Sequence, residues 1–322
     1  MCGVITQRPG VGTSDLLAAE SVCTHAWLDD APFAESHLAD LEWWYANAAP
    51  DELGACLRLW EVDGELAAWS WLRNGQLHWE VWRGHGAAGT GRGDVAVLEA
   101  ILRAAIDETP GALGAWSPED DAATLELLDR FGFQPLERRQ SQFLLRLDGG
   151  WQEPEVFVPD GYHIRSLTGP REIEARMAVH RAAFAPSLIN IEKYTRLTTL
   201  PHYSFDDDIV MEAADGSIAA FAMAWWDPVA RFGEFEPVGT HPDHQRRGLA
   251  RALLNHGMRR LGRRGARLIQ IYSMAQNGAS EALYEAVGFE RRRYRRLFER
   301  PREVLTPAVD TRGAVRALGL DK

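Results

Sequence analysis

The sequence predicts an α/β protein built from two tandem copies of one unit. Three observations carry that expectation. Strand-like and helix-like apolar patterns alternate along the chain. A glycine-centred turn at residues 245–250 joins an extended run to a helical one. The segment 76–133 parallels 230–289 at an offset of about 155 residues.

The second copy is the clearer one. Residues 162–165 read as a first strand, and 171–184 as a helix with Ile173, Met177 and His180 on one stripe. Residues 208–213 and 217–225 are two strands joined by the hairpin turn Asp215-Gly216. Residues 232–240 form a fourth strand, and the extended run breaks at Pro242. A helix then starts, with Leu249, Leu253, Leu254, Met258 and Leu261 at helical spacing. Residues 267–272 read as a buried strand, and a short helix over 280–286 ends at Gly288. In the first copy, 57–61 and 65–71 turn at Asp63-Gly64, 76–82 matches the fourth strand and 94–106 the helix after it. Phe131-Gly132-Phe133 matches Val287-Gly288-Phe289. The Gly149-Gly150 pair and the proline-containing stretch after it place the boundary between units 1–153 and 154–322.

The turn carries the chemistry. A strand that feeds through a tight turn into a helix aims several backbone N–H groups at one point, which suits a phosphate or pyrophosphate. Gly248 has no Cβ, so the backbone can come close to such a group. Ala250 keeps the first helical turn narrow, while Gln245, Arg246 and Arg247 add donors and charge. An ordinary basic strand-to-helix connection has the same composition. Gln245-Arg-Arg-Gly-Leu249-Ala250 fits the acyl-CoA signature [Gln/Arg]-x-x-Gly-x-[Gly/Ala], and the chain resembles the GCN5-related N-acetyltransferases (GNAT) over about residues 160–298.

That resemblance implies a mixed, mostly antiparallel twisted sheet flanked by helices in each of two tandem GNAT-fold units. It implies acetyl-CoA as cosubstrate, with its pyrophosphate on residues 245–250 and its pantetheine arm along Val238, Gly239 and Thr240. It makes Asn277 a cofactor contact and Tyr284 the acid that protonates the departing thiolate; otherwise Tyr284 is a half-buried helix aromatic. A primary amine must lose a proton before it attacks. Glu234 and Glu236 share a strand face by alternation and are the candidate bases. Glu234 lies 11 residues before Gln245, the spacing of the general-base Glu in several family members. Gly233-Glu234 and Val238-Gly239 are also similar to the mycothiol synthase branch of the family, whose members are tandem. The expected activity is acetyl transfer to a small-molecule primary amine. The alternatives are a cysteinyl amine as acceptor, or an acyl-CoA sensor without turnover.

The first copy is degenerate. No Gln or Arg opens a matching hexamer in the loop 84–95. With Gly93 set on Gly248, Thr90 replaces Gln245, Val95 replaces Ala250, and Asp94 brings a carboxylate that repels phosphate. Leu128 stands where Tyr284 would be. The first unit is therefore expected to have lost catalysis. Nine of the 12 tryptophans lie within residues 1–150, read first as core and second as a pocket wall.

Composition bounds the rest. With 46% hydrophobic and 25% charged residues the chain reads as an ordinary globular protein. No apolar run reaches membrane-spanning length and no secretion signal is visible, so a cytoplasmic location and no membrane partner are expected. Three cysteines without a Cys-x-x-Cys pair give neither a disulfide framework nor a metal site. Residues 1–150 hold 10 Lys+Arg against 24 Asp+Glu, net −14; residues 151–322 hold 25 against 22, net +3. The basic half suits a polyanionic coenzyme. The acidic half suits either a cationic amine or plain solvation. A total of −11 argues against nucleic acid as a partner. The sequence does not speak to oligomeric state.

Overall fold

The computed structural model describes residues 3–29, 34–49, 52–82, 92–147, 149–187 and 189–302, with residues 92–94 described by backbone alone. The first unit runs β1 (Ile5–Pro9), α1 (Thr13–Leu28), α2 (Leu38–Asn47), α3 (Leu53–Cys56), β2 (Leu57–Val62), β3 (Glu65–Arg73), β4 (Gln76–Val81), α4 (Arg92–Glu108), β5 (Leu113–Pro118), α5 (Ala122–Arg130) and β6 (Gln134–Arg146). The second runs β7 (Tyr162–Ser166), α6 (Ile173–Ala183), α7 (Ile191–Leu197), β8 (Asp208–Ala213), β9 (Ile218–Asp227), β10 (Phe232–Thr240), α8 (Leu249–Arg263), β11 (Leu268–Met274), α9 (Gly278–Ala286) and β12 (Glu290–Arg300). The element order expected for the second copy holds, and the first copy follows it with one additional short helix, α3. Among the described residues, no helix is long and apolar enough to cross a membrane.

All twelve strands join one sheet, in the order β1-β2-β3-β4-β5-β12-β6-β11-β10-β9-β8-β7. Every neighbouring pair is antiparallel except β4–β5 and β10–β11. The expected mixed, mostly antiparallel sheet is therefore present, but it is continuous through both units. β6 lies between β12 and β11, and β12 lies between β5 and β6. Each unit thus lends its last strand to the parallel pair of the other. We propose 153/154 as the boundary between the repeated units, with their terminal strands exchanged.

Local sequence explains the main elements. β9 reads Ile-Ala-Ala-Phe-Ala-Met-Ala-Trp-Trp and is buried almost throughout, because helices cover both faces of the sheet there. The α8 stripe buries Leu249, Leu253, Leu254, Met258 and Leu261 as its spacing requires. Gly257 on that face lets the Phe235 ring of β10 come close; a Cβ there would stand 2.4 Å from the ring.

The exchange fills the cores with residues from both units. Phe143 of β6 is fully buried among Leu253, Leu261, Tyr284 and Phe289, and stacks edge-on against Tyr284 at 5.7 Å between ring centres. Ser141 on the same strand donates to Glu281 of α9. A second core joins Trp69, Trp71 and Leu41 to Met177, Tyr194 and Trp225. Replacing Phe143 with Ala should therefore destabilise the whole chain by about 3–5 kcal/mol. Urea unfolding followed by both tryptophan fluorescence and circular dichroism checks this. A loss below about 1 kcal/mol would mean that β6 is not part of the second core.

Candidate active site

β10 pairs with β11 only through Phe232, Gly233 and Glu234, opposite Leu268, Ile269 and Gln270. Beyond Glu234 the strands part, and β10 bulges against β9 between Phe235 and Val238. The parting opens a cleft of about 590 Å³. Val238, Gly239 and Thr240 line one side of it, and Asn277 and Tyr284 line the other. Gln245, Arg246, Gly248, Leu249 and Ala250 close its end. The backbone edge of β10 that faces the parting has no strand partner beyond Glu234 among the described residues.

The turn has the geometry its composition implies. Gly248 is the N-cap of α8 with φ 80°, and Arg246 is also left-handed with φ 63°. The first helical bond of α8 runs from Ala252 N to Gly248 O. The preceding N–H groups, at Leu249, Ala250 and Arg251, therefore have no helical acceptor. They meet the positive end of the helix at the cleft, which is a ready anion site. A Cβ on Gly248 would meet no protein atom within 4 Å. What a larger residue would obstruct is backbone conformation and the approach of a ligand, not packing.

Arg247 departs from the set. Its guanidinium donates to the Tyr162 hydroxyl at 2.7 Å and to the Asp243 carbonyl at 3.1 Å, tying the turn to β7. Asn277 lines the cleft but also caps α9, its Oδ1 accepting the Ser280 N–H at 3.3 Å. Tyr284 is 6% exposed. Burial, and then the nearby charge of Glu236, push its phenol above the usual range.

Glu234 and Glu236 line a different cavity, of about 240 Å³. Both units build it. α2 supplies Asp40, Trp43 and Trp44, β4 and β5 supply Trp79 and Trp116, and β12 supplies Arg295. Glu35 also lines it and pairs with Arg295 at 2.7 Å. The chamber is thus acidic and aromatic-walled, with Arg295 largely committed to Glu35. Burial raises Glu35 and Glu236 to about 7 and Asp40 to about 6. Glu234, 1% exposed, is pushed well up by burial, then by the charges of Asp40 and Glu236. Its Oε1 accepts from Gln270 at 3.3 Å, and its Oε2 has no donor among the described residues. His37 approaches Glu234 at 3.5 Å, but burial lowers it to about 4, so the contact is no ion pair near neutrality.

The comparisons with known proteins give the family. Residues 179–289 match the acetyltransferase (GNAT) family. The mycothiol acetyltransferase of Saccharomonospora viridis is 30% identical over 220 residues, covering 65% of this chain and 67% of that one. The mycothiol acetyltransferase of Renibacterium salmoninarum is 31% identical over 188 residues, covering 56% of this chain and 55% of that one. A solved tandem GNAT protein from the clavulanic acid biosynthesis pathway has the same fold, with a TM-score of 0.62 over 93% of this chain and 99% of that one, at 14% identity. The chain belongs to the GNAT family of acetyltransferases. It is a tandem member, similar to mycothiol acetyltransferases.

Asp40, Trp43, Trp44, Trp116 and Arg295 of the chamber do not stand out in the sequence as site residues. For all but Arg295, which lies in the second unit, the one sequence signal is the excess of tryptophan and acid in the first unit. The degenerate loop of that unit, 83–91, lies outside the described residues, as does Cys2. Leu128, at the position matching Tyr284, is fully buried.

The chamber carboxylates make stability depend on pH. Glu236 has a folded-state value of about 7 against 4.5 in water. The folded state holds its proton longer, so this stabilisation is full below pH 4.5 and is lost as pH rises through 7. The chain should be more stable at pH 5 than at pH 8. Glu236→Gln should flatten the dependence between those values, removing up to roughly 1.4 kcal/mol for each pH unit crossed. Urea midpoints at the two pH values test it. An unchanged slope in the variant would show that Glu236 titrates normally.

Proposed function

We propose that the chain moves an acetyl group from acetyl-CoA to a primary amine of a small molecule by direct attack. The observation that carries the reading is the position of two cavities beside the bulged segment of β10. Glu236 stands in one and Tyr284 in the other. The N–H groups at 245–251 suit the pyrophosphate, and the unpaired edge of β10 suits the amides of a pantetheine arm. Acetyl-CoA would supply an activated thioester between them.

The chain's own residues then have distinct tasks. The acidic, tryptophan-walled chamber holds a protonated amine by charge and by cation–π attraction. The ammonium proton passes to the Glu234/Glu236 pair. Glu236, held near 7, is the member that ionises close to neutrality, and Glu234 keeps its proton. The freed nitrogen lone pair forms the C–N bond. A β10 N–H faces the oxygen that gains charge. The C–S bond breaks, Tyr284 donates its proton to the leaving sulfur, and the second proton of the acylated nitrogen returns to the Tyr284 oxygen. The first unit forms a wall of the chamber and does no chemistry. The relatives are named for mycothiol, so a cysteinyl amine is the first acceptor to test, ahead of polyamines and amino sugars.

Two measurements check this. Gly248→Leu should keep the fold with some loss of stability, because φ 80° strains a side-chain-bearing residue, and should weaken acetyl-CoA binding by titration calorimetry, at about 1.5–3 kcal/mol for each charge-assisted hydrogen bond removed. Unchanged affinity would remove the pyrophosphate from this turn. Tyr284→Phe should bind acetyl-CoA nearly normally and lose about 10²–10⁴-fold in kcat. Combined with Glu236→Gln it should leave no coenzyme A release above background. Residual turnover in the double variant would place catalysis elsewhere, including the first unit.

A further inference from the structure

Away from both cavities, three ionisable side chains meet where the units join. Glu20 comes from α1, Glu42 from α2, and His202 from the turn after α7. Glu20 is 2% exposed and Glu42 is 0% exposed. One imidazole nitrogen, Nδ1, faces both carboxylates, 3.1 Å from Glu42 Oε1 and 3.3 Å from Glu20 Oε2. The backbone N–H of His202 also donates to Glu42 Oε1, at 2.8 Å. Each oxygen of Glu20, and Glu42 Oε2, has no hydrogen-bond partner among the described residues.

This cluster is short of positive charge. A single Nδ1–H serves one carboxylate at a time. A protonated His202 brings one positive charge against two negative ones, and Asp227 adds its field to Glu20. Unpaired charge at this depth is costly. The spacing suggests what relieves it. Donors about 2.1 Å from one cation stand about 3.0 Å apart at octahedral angles and about 3.4 Å apart at tetrahedral ones. The separations of 3.1 and 3.3 Å fall in that range.

We propose that Glu20, Glu42 and His202 bind a divalent first-row metal ion of the zinc class, with a neutral imidazole nitrogen and two carboxylate oxygens as ligands. The ion takes the place of the His202 proton and bridges α1 and α2 of the first unit to the second. Its role is structural: α2 also carries Asp40, Trp43 and Trp44, so the ion fixes a wall of the chamber. The inference does not depend on the acetyl-transfer reading.

The test uses the full, untagged chain, stripped with chelator and titrated with zinc chloride in a calorimeter. The wild type should bind one zinc per chain at this site and gain thermal stability. Glu20→Gln keeps the shape and removes a buried charge, so it should fold at least as well as the wild type. It and Glu42→Gln should bind zinc at least about 100-fold more weakly and show no thermal gain. Absence of a stoichiometric site in the wild type overturns the proposal. So does a site that persists unchanged in both variants.

Discussion

The hydrogen bonding between β10 and β11 stops after three residue pairs, and the rest of the site follows from that stop. Had the ladder continued past Glu234 in the same register, the backbone edge of Val238–Thr240 would be spent on Met274–Gln276. The bulge between Phe235 and Val238 turns that edge away. The parting leaves a slot that ends at the start of α8, where unbonded N–H groups gather. It also leaves Glu236 half-buried rather than sealed, while Glu234, still within the ladder, is sealed. Two carboxylates two residues apart thereby acquire different acidities.

The repeat gives the second half of the explanation. The parallel pairs begin at Gln76 opposite Gly114 and at Phe232 opposite Leu268. Counting from these, His78 stands where Glu234 stands and Glu80 where Glu236 stands. Glu80 is fixed by the N–H groups of Glu35 and Ser36, at 3.2 and 2.9 Å. His78 is lowered to about 3 by burial, then by the charge of Arg295, and is neutral. The first unit has kept the parted strands and filled the space with Trp79 and Trp116. Exchange of β6 and β12 brings the two partings together, so residues of the first unit wall the chamber that holds Glu234 and Glu236.

Much of this was legible in the sequence where it rested on local chemistry. Gly248 and the strand pair Glu234/Glu236 follow from turn composition and alternation, while Asn277 and Tyr284 come from the resemblance; the cleft gathers Gly248, Asn277 and Tyr284. What depends on which distant strand lies alongside was not legible. β12 reads as a strand of Arg and Glu residues, and nothing in its period tells that Arg295 will face Glu35 across the unit boundary. Arg247 belongs to the motif by position, yet the Tyr162 hydroxyl claims it through an 85-residue separation. The separate fates of Glu234 and Glu236 are a matter of burial, which alternation cannot grade. Glu20, Glu42 and His202 lie in three elements with no shared motif, and the cysteine count that excluded a thiolate metal site says nothing about carboxylates.

The chamber also shows why so many buried acids are tolerated. A carboxylate raised to near neutrality is a useful base and an unstable neighbour, because its charge is poorly solvated. A single unit of about 150 residues would have to carry Glu35, Asp40, Glu234 and Glu236 on its own core. Here two cores flank the chamber, one of them built jointly from Trp69 and Leu41 of the first unit and Tyr194 and Trp225 of the second. The apolar burial that offsets the acids is contributed from both sides of the boundary. A cationic acceptor would offset them further by restoring the missing positive charge.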